Sequence, residues 1–230
     1  MSKEIDQPKT QEIAHFLSKA RAIKAITARQ NRVIFALDAT ASREPTWDQA
    51  RQLHGELFSA TLNEQTLAIQ LCYYRGLGEF TASHWLTQPS ALLDQMSSVT
   101  CEPGTTQIGR VIHHALETHS ASHPVRAVIL VGDACEESVA SLASLAGQCA
   151  IKVMPLFLFQ EGHDAQTQVT FERLAHLSNG AYAPFDASSA DQLRALLAAV
   201  SRYAQGGIAA LRQSNTRGDQ TLLCQLEKTP

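Results

Sequence analysis

Residues 32–48, RVIFALDATASREPTWD, decide how the rest of the chain is read. The stretch opens with Val33-Ile34-Phe35-Ala36-Leu37, an unbroken apolar run too short for a helix and rich in strand formers. Such a run reads as a central strand buried on both faces. It stops at Asp38, and oxygen-bearing side chains follow at alternate positions: Asp38, Thr40 and Ser42. A carboxylate and two hydroxyls are hard donors, suited to Mg2+ or Mn2+ rather than zinc. Open α/β sheets bind their ligands in loops at the carboxyl ends of central strands. The plainer reading is an Asp-initiated turn, with Thr and Ser as ordinary turn residues.

Two further stretches belong with the first. Glu102-Pro103-Gly104-Thr105-Thr106-Gln107-Ile108-Gly109 precedes an amphipathic helix, and Val128-Ile129-Leu130-Val131-Gly132-Asp133 is a second apolar strand that ends on a carboxylate. The three pieces, in this order, resemble the von Willebrand factor A (VWA) family and its metal-ion-dependent adhesion site (MIDAS). That family carries Asp-x-Ser-x-Ser after its first strand, a Thr in a Gly-Thr-x-x-Gly-like loop, and an Asp after its fourth strand. The matching positions here are Asp38, Thr40, Ser42, Thr106 and Asp133, and the resemblance covers residues 32–204.

The resemblance implies a Mg2+ or Mn2+ ion held by the hydroxyls of Thr40 and Ser42. Thr106 joins when ligand binds, while Asp38 and Asp133 act largely through water and hydrogen bonds. Neutral ligands leave the ion electron-poor, so it seeks a carboxylate from a partner protein's Asp or Glu. Two departures stand out. Thr40 replaces the middle Ser and adds a methyl group, and Ala134-Cys135-Glu136-Glu137 follows Asp133 where the family usually has Gly. Glu136 and Glu137 read first as the acidic first turn of a helix, and alternatively as extra negative charge that attracts a cation.

The composition is globular: hydrophobic residues make up 44% of 230 and charged residues 18%, enough for a sizeable core. A net charge of −3 argues against a nucleic-acid or anionic-membrane partner, which would need a basic face. No apolar run approaches the roughly 20 residues of a transmembrane helix. The polar start, MSKEIDQPKTQEI, has no apolar core of a secretory signal. The five cysteines, Cys72, Cys101, Cys135, Cys149 and Cys224, are widely spaced and form no C-x-x-C pair. Reduced thiols in a cytoplasmic protein follow as the expectation.

The fold class expected is α/β: a doubly wound, mostly parallel sheet with one antiparallel edge strand and helices on both faces, VWA- or Rossmann-like. Residues 1–30 are expected to form an N-terminal helical extension, 31–207 the α/β domain, and 208–230 a polar tail, mobile from Arg212 onward unless Leu222, Leu223 and Leu226 dock locally. After the first strand a helix is expected over 47–62. A hairpin follows, of strands 67–74 and 79–85 joined at Arg75-Gly76-Leu77-Gly78. Helices follow at 90–96 and 108–118, a strand at 126–132 and a helix at 136–148. The remaining elements are a strand at 152–159, a helix at 167–177, a strand at 181–185 and a helix at 188–204, with Gly206-Gly207 closing the domain.

Other chemistry-bearing residues have plainer readings. His113, His114, His119 and His123 with Glu117 fall on the polar side of an amphipathic helix or beyond it, and read as solvated. Trp47, Glu161 and Asp164 are candidate partner contacts, against a helix-start core residue for Trp47 and an ordinary strand-to-helix loop for the other two. Arg217-Gly218-Asp219 matches an integrin-recognition tripeptide and is read as chance.

The function expected is a non-enzymatic, metal-dependent protein-binding module that captures an acidic side chain. By resemblance it is an adaptor in a larger intracellular assembly, of which AAA+ ATPase and chaperone-like systems are examples. One alternative is a Mg2+-dependent phosphoryl-transfer enzyme with Asp38 as nucleophile. Against it, Thr40 stands where an Asp-x-Asp-x-Thr motif has its second Asp. The other alternative is a structural relative that no longer binds metal.

Overall fold

The structure is a computed structural model and describes residues 30–44, 67–186 and 190–227. The chain divides into two units, Met1–Gln30 and Asn31–Pro230, and the fold described is that of the second. Residues 1–29 of the expected helical extension and the helix expected over 47–62, and with it Trp47, lie outside the described residues.

The strands are β1 (Asn31–Asp38), β2 (Leu67–Arg75), β3 (Glu79–Ala82), β4 (Val125–Gly132), β5 (Leu156–Glu161) and β6 (Ala181–Phe185). The described helices are α1 (Pro89–Ser97), α2 (Ile108–Thr118), α3 (Val139–Ile151), α4 (Ala165–Leu177), α5 (Ala190–Ser214) and α6 (Arg217–Leu226). The strands form one sheet in the order β3-β2-β1-β4-β5-β6. Every pairing is parallel except β2 with β3, the short antiparallel edge hairpin. This is the doubly wound, mostly parallel α/β sheet expected from the sequence.

The apolar runs of β1 and β4 have no polar face because both faces of the sheet are covered. Val33, Phe35 and Leu37 join a core completed by Leu92 and Met96 of α1, Leu196 and Val200 of α5 and Leu222 of α6. Ile34 and Ala36 point the other way, into a core with Val111 of α2, Leu142 of α3 and Phe171 of α4. The strand period of two therefore sorts one continuous apolar run between two cores.

Several boundaries differ from the sequence reading, the strand expected over 79–85 ending at Ala82 among them, and three differences have a clear physical reason. The helix expected from 136 starts at Val139, because Glu136 and Glu137 are used elsewhere. The strand expected from 152 starts at Leu156, because α3 runs on to Ile151 and the chain turns through Val153 at φ 53°. Met154 N bonds back to Cys149 O at 3.0 Å, satisfying a helix-end carbonyl.

The third difference is the segment after Gly207. That glycine stands at φ 61° and ψ −155°, where two helical segments of α5 meet at a kink, and α6 follows, so residues 208–226 include helix where a polar tail was expected. A polar network anchors the segment. Arg202 Nε donates to the wholly buried Asp219 Oδ1 at 2.9 Å, and Asp219 completes a capping box with Thr216. Gln225 pairs by its amide with both the N–H (2.9 Å) and the carbonyl (2.6 Å) of Tyr182. A side chain thus takes the place of a further strand on the outer edge of β6.

Candidate functional site

The order of the sheet reverses direction between β1 and β4, since connections from β1 lead both ways. Such a switch point leaves a crevice beyond the carboxyl ends of the two strands. β1 and β4 run in register to Leu37 opposite Val131, so Asp38 and Asp133 emerge side by side at that crevice. Gly132 lies against the same groups: a Cβ there would stand in ordinary contact, 3.4 Å from Asp38 Cβ and 3.6 Å from the Tyr74 hydroxyl.

Asp38 is wholly buried. Its Oδ1 accepts from Thr40 N at 2.8 Å, the Asx geometry that bends the chain out of β1, and its Oδ2 accepts from the Tyr74 hydroxyl at 3.1 Å. Burial pushes the Asp38 carboxyl up, the bonds from Thr40 oppose the rise, and the negative charge of Asp133 adds to it. The Tyr74 phenol is pushed well above its ordinary value by burial and by the Asp38 charge, so it remains a donor.

Thr40 leads into a short 3-10 turn, Ala41–Arg43. Its hydroxyl lies 3.1 Å from that of Ser42, which is exposed at the mouth of the crevice. The two hydroxyls are therefore brought together, as the alternate spacing requires. The same loop is tied to the 100–107 segment by the bond Glu102 N to Ala39 O at 3.0 Å and a Thr40–Glu102 bridge.

Thr106 is buried and bound reciprocally to Glu136. Its N–H donates to Glu136 Oε2 at 3.1 Å, and its Oγ accepts from Glu136 N at 3.0 Å. Glu137 reaches the start of α2, where Oε2 accepts from Ile108 N at 2.5 Å and Oε1 from Gly109 N at 2.9 Å. Helix α2 has no side-chain cap of its own, so Glu137 supplies one from another element. This corrects the sequence reading: the acidic pair serves the N-terminus of α2, not the first turn of its own helix. Burial raises the Glu137 carboxyl, and the bonds from Gly109 and Ile108 hold it down.

Asp133 differs from its neighbours. Its Oδ1 is buried and has no hydrogen-bond partner, in a crevice where the other carboxylates are satisfied. A carboxylate oxygen left without a partner, with the Thr40 and Ser42 hydroxyls on the loop at the same end of the sheet, is a donor set that fits a hard divalent cation. Among the described residues no three His, Cys, Asp or Glu side chains gather into a metal cluster, so the hydroxyls are essential to any such site.

The sequence reading missed three residues. Tyr74 and Gly132 sit inside apolar strands, and only the register between strands places them at Asp38. Arg43 follows Ser42, yet its side chain is 1% exposed and ion-paired with Glu161. Burial lowers its pKa, and the charges of Asp133 and then Asp38 oppose that. The partner-contact candidates fall differently. Glu161 faces inward to Arg43, and Asp164 is exposed, its Oδ1 capping α4 through Thr167 N at 2.7 Å.

The histidines are only partly solvated. His113 is exposed beside Glu117, whereas His114 Nε2 lies 2.9 Å from Gln70 Oε1 and its ring packs against Phe80. All five cysteines are free.

No family model matches this sequence, and no curated protein matches it. Solved structures do. A von Willebrand factor type A protein from Catenulispora acidiphila superposes with a TM-score of 0.61 at 16% identity, over 75% of this chain and 43% of that one. The VWA domain of SpRpn10 gives a TM-score of 0.58 at 14% identity, covering 76% of this chain and 97% of that one. Proximal thread matrix protein 1 from the mussel byssus, solved with a zinc-occupied MIDAS motif, gives 0.56 at 13% identity, covering 78% and 45%. The chain thus spans less than half of the Catenulispora protein. At these identities the likeness is one of fold: the domain has the von Willebrand factor A fold.

Proposed function

We propose that this chain is a non-enzymatic protein-binding module in which Asp38, Thr40, Ser42, Thr106 and Asp133 hold a divalent cation, Mg2+ or Mn2+. The observation that carries the reading is Asp133 Oδ1, a buried carboxylate oxygen without a hydrogen-bond partner, at the same strand-end crevice as the Thr40–Ser42 loop. The occurrence of a metal-filled MIDAS in a structure of the same fold supports it. A cation held there supplies an open position for a carboxylate from a partner's Asp or Glu.

The chain's own residues do the rest. Asp38 fixes the loop through Thr40 N, Tyr74 fixes Asp38, and Glu136 holds Thr106 at the crevice. Exposed Ser42 leaves the mouth open to a partner. Leu77, 91% exposed on the β2–β3 turn, offers an apolar contact at the same end of the sheet, where Thr105 N bonds Gly76 O at 3.2 Å. An adaptor role in a larger intracellular assembly, with an AAA+ ATPase or chaperone-like system as partner, is part of the same reading.

A phosphoryl-transfer role for Asp38 is disfavoured by its surroundings. Both carboxylate oxygens are occupied and the side chain is wholly buried, which leaves no exposed nucleophile. Among the described residues no helix is long and apolar enough to cross a membrane.

The test is a library of peptides scanned for binding with Mg2+ and again with chelator. Binders that contain Asp or Glu, and that are lost with chelator and with Asp38→Ala, are expected. Binders indifferent to both changes would overturn the reading.

A further inference from the structure

Arginine is almost never fully buried unless paired, yet Arg43 is among the largest wholly buried side chains of the fold. It lies on the turn that carries Ser42, and its guanidinium meets Glu161 at the end of β5. β5 is the neighbour of β4, with Gln160 opposite Gly132, so Glu161 borders Asp133 at the crevice. The ion pair with Glu161 is the direct contact, and the charges of Asp133 and Asp38 also bear on the guanidinium, against the effect of its burial. A positive charge built into the chain therefore sits among the same carboxylates that the cation is proposed to use.

We infer that Arg43 is a tethered competitor of the metal, seated among Asp38, Asp133 and Glu161 in the metal-free domain and displaced when a divalent cation loads. The inference rests on the metal-binding reading proposed above. Two cations at one carboxylate group repel each other strongly where water is excluded. Arg43 also occupies the site imperfectly: it balances the charge of Asp133 but leaves Asp133 Oδ1 without a hydrogen bond. A divalent ion satisfies that oxygen, and the short turn Ala41–Arg43, whose Ser42 is already exposed, gives the side chain a route outward. Binding of metal is thereby coupled to the appearance of a guanidinium at the rim, where a partner's acidic residue approaches.

The experiment is calorimetric titration of Mn2+ into the full chain, wild type and Arg43→Gln, together with arginine modification of the wild type by phenylglyoxal. Arg43→Gln is expected to bind Mn2+ at least about tenfold more tightly, since the repelling charge is gone. In the wild type, peptide mapping is expected to find Arg43 protected in chelator and modified at saturating Mn2+. Equal or weaker binding by Arg43→Gln overturns the competition and leaves the metal reading standing. No Mn2+ binding by either protein overturns the metal reading and the competition with it. Should Arg43→Gln not fold, the modification pattern decides alone: Arg43 protected with and without Mn2+ overturns the inference.

Discussion

The Tyr74 hydroxyl donates to Asp38 Oδ2 at 3.1 Å, and neither residue exposes any surface. The two are opposite each other in the β1–β2 register, so the bond follows directly from parallel strand pairing. A buried carboxylate that loses a donor keeps its desolvation penalty. Tyr74→Phe, which removes only the oxygen, is therefore expected to cost about 1–3 kcal/mol, measured by urea unfolding in chelator. A variant as stable as wild type would show that Asp38 does not depend on this donor.

Glu137 caps a helix to which it does not belong. Removing its carboxylate leaves Ile108 N and Gly109 N without a partner at the positive end of α2. Glu137→Ala is expected to lower stability by about 1–2 kcal/mol. Amide hydrogen exchange should rise first at Ile108 and Gly109. Unchanged exchange there would contradict the cap.

Much of the fold was legible in the sequence, and the reason is local. The runs Val33–Leu37 and Val128–Val131 are apolar without alternation, which only doubly covered strands require, and the hairpin is marked by Gly76 and Gly78. The site's carboxylates were legible because each ends a strand. What the sequence hid depends on distance along the chain. Glu137 lies 28 residues from Gly109, and Tyr74 36 from Asp38, and no periodicity reports such pairings. Arg43 went unread because burial of an arginine depends on partners from other strands. The α6 helix was missed although a signal was present: Thr216-x-x-Asp219 ahead of Leu222 and Leu226 is a capping-box spacing followed by an apolar pair at helical distance.

The network that anchors α6 makes its own prediction. Asp219 is wholly buried and paired with Arg202, which is itself buried. Asp219→Ala leaves that guanidinium uncompensated and is expected to cost about 3–5 kcal/mol in urea unfolding. The same burial turns the Arg217-Gly218-Asp219 carboxylate away from solvent, so the tripeptide has no free acid to offer a receptor.

Thiol reactivity should divide the cysteines sharply. Burial pushes Cys72 and Cys149 up to about 12, so almost no thiolate forms at neutral pH, whereas Cys224 is exposed. With a thiol reagent at pH 8, Cys224 is expected to react first, and Cys72 and Cys149 only when the protein unfolds. Early modification of Cys72 would contradict the buried β2 register.

Cation binding at Asp133 is read out by a thermal-unfolding series of wild type and Asp133→Ala with Mg2+, Mn2+ and chelator. A ligand that binds only the folded state stabilises it by mass action, about 2.7 kcal/mol at a hundredfold excess over its dissociation constant. Millimolar Mg2+ or Mn2+ is expected to raise the wild-type Tm above its value in chelator and to leave Asp133→Ala unmoved. A wild type that melts at one temperature under all three conditions, or a rise that persists in the variant, would contradict binding there.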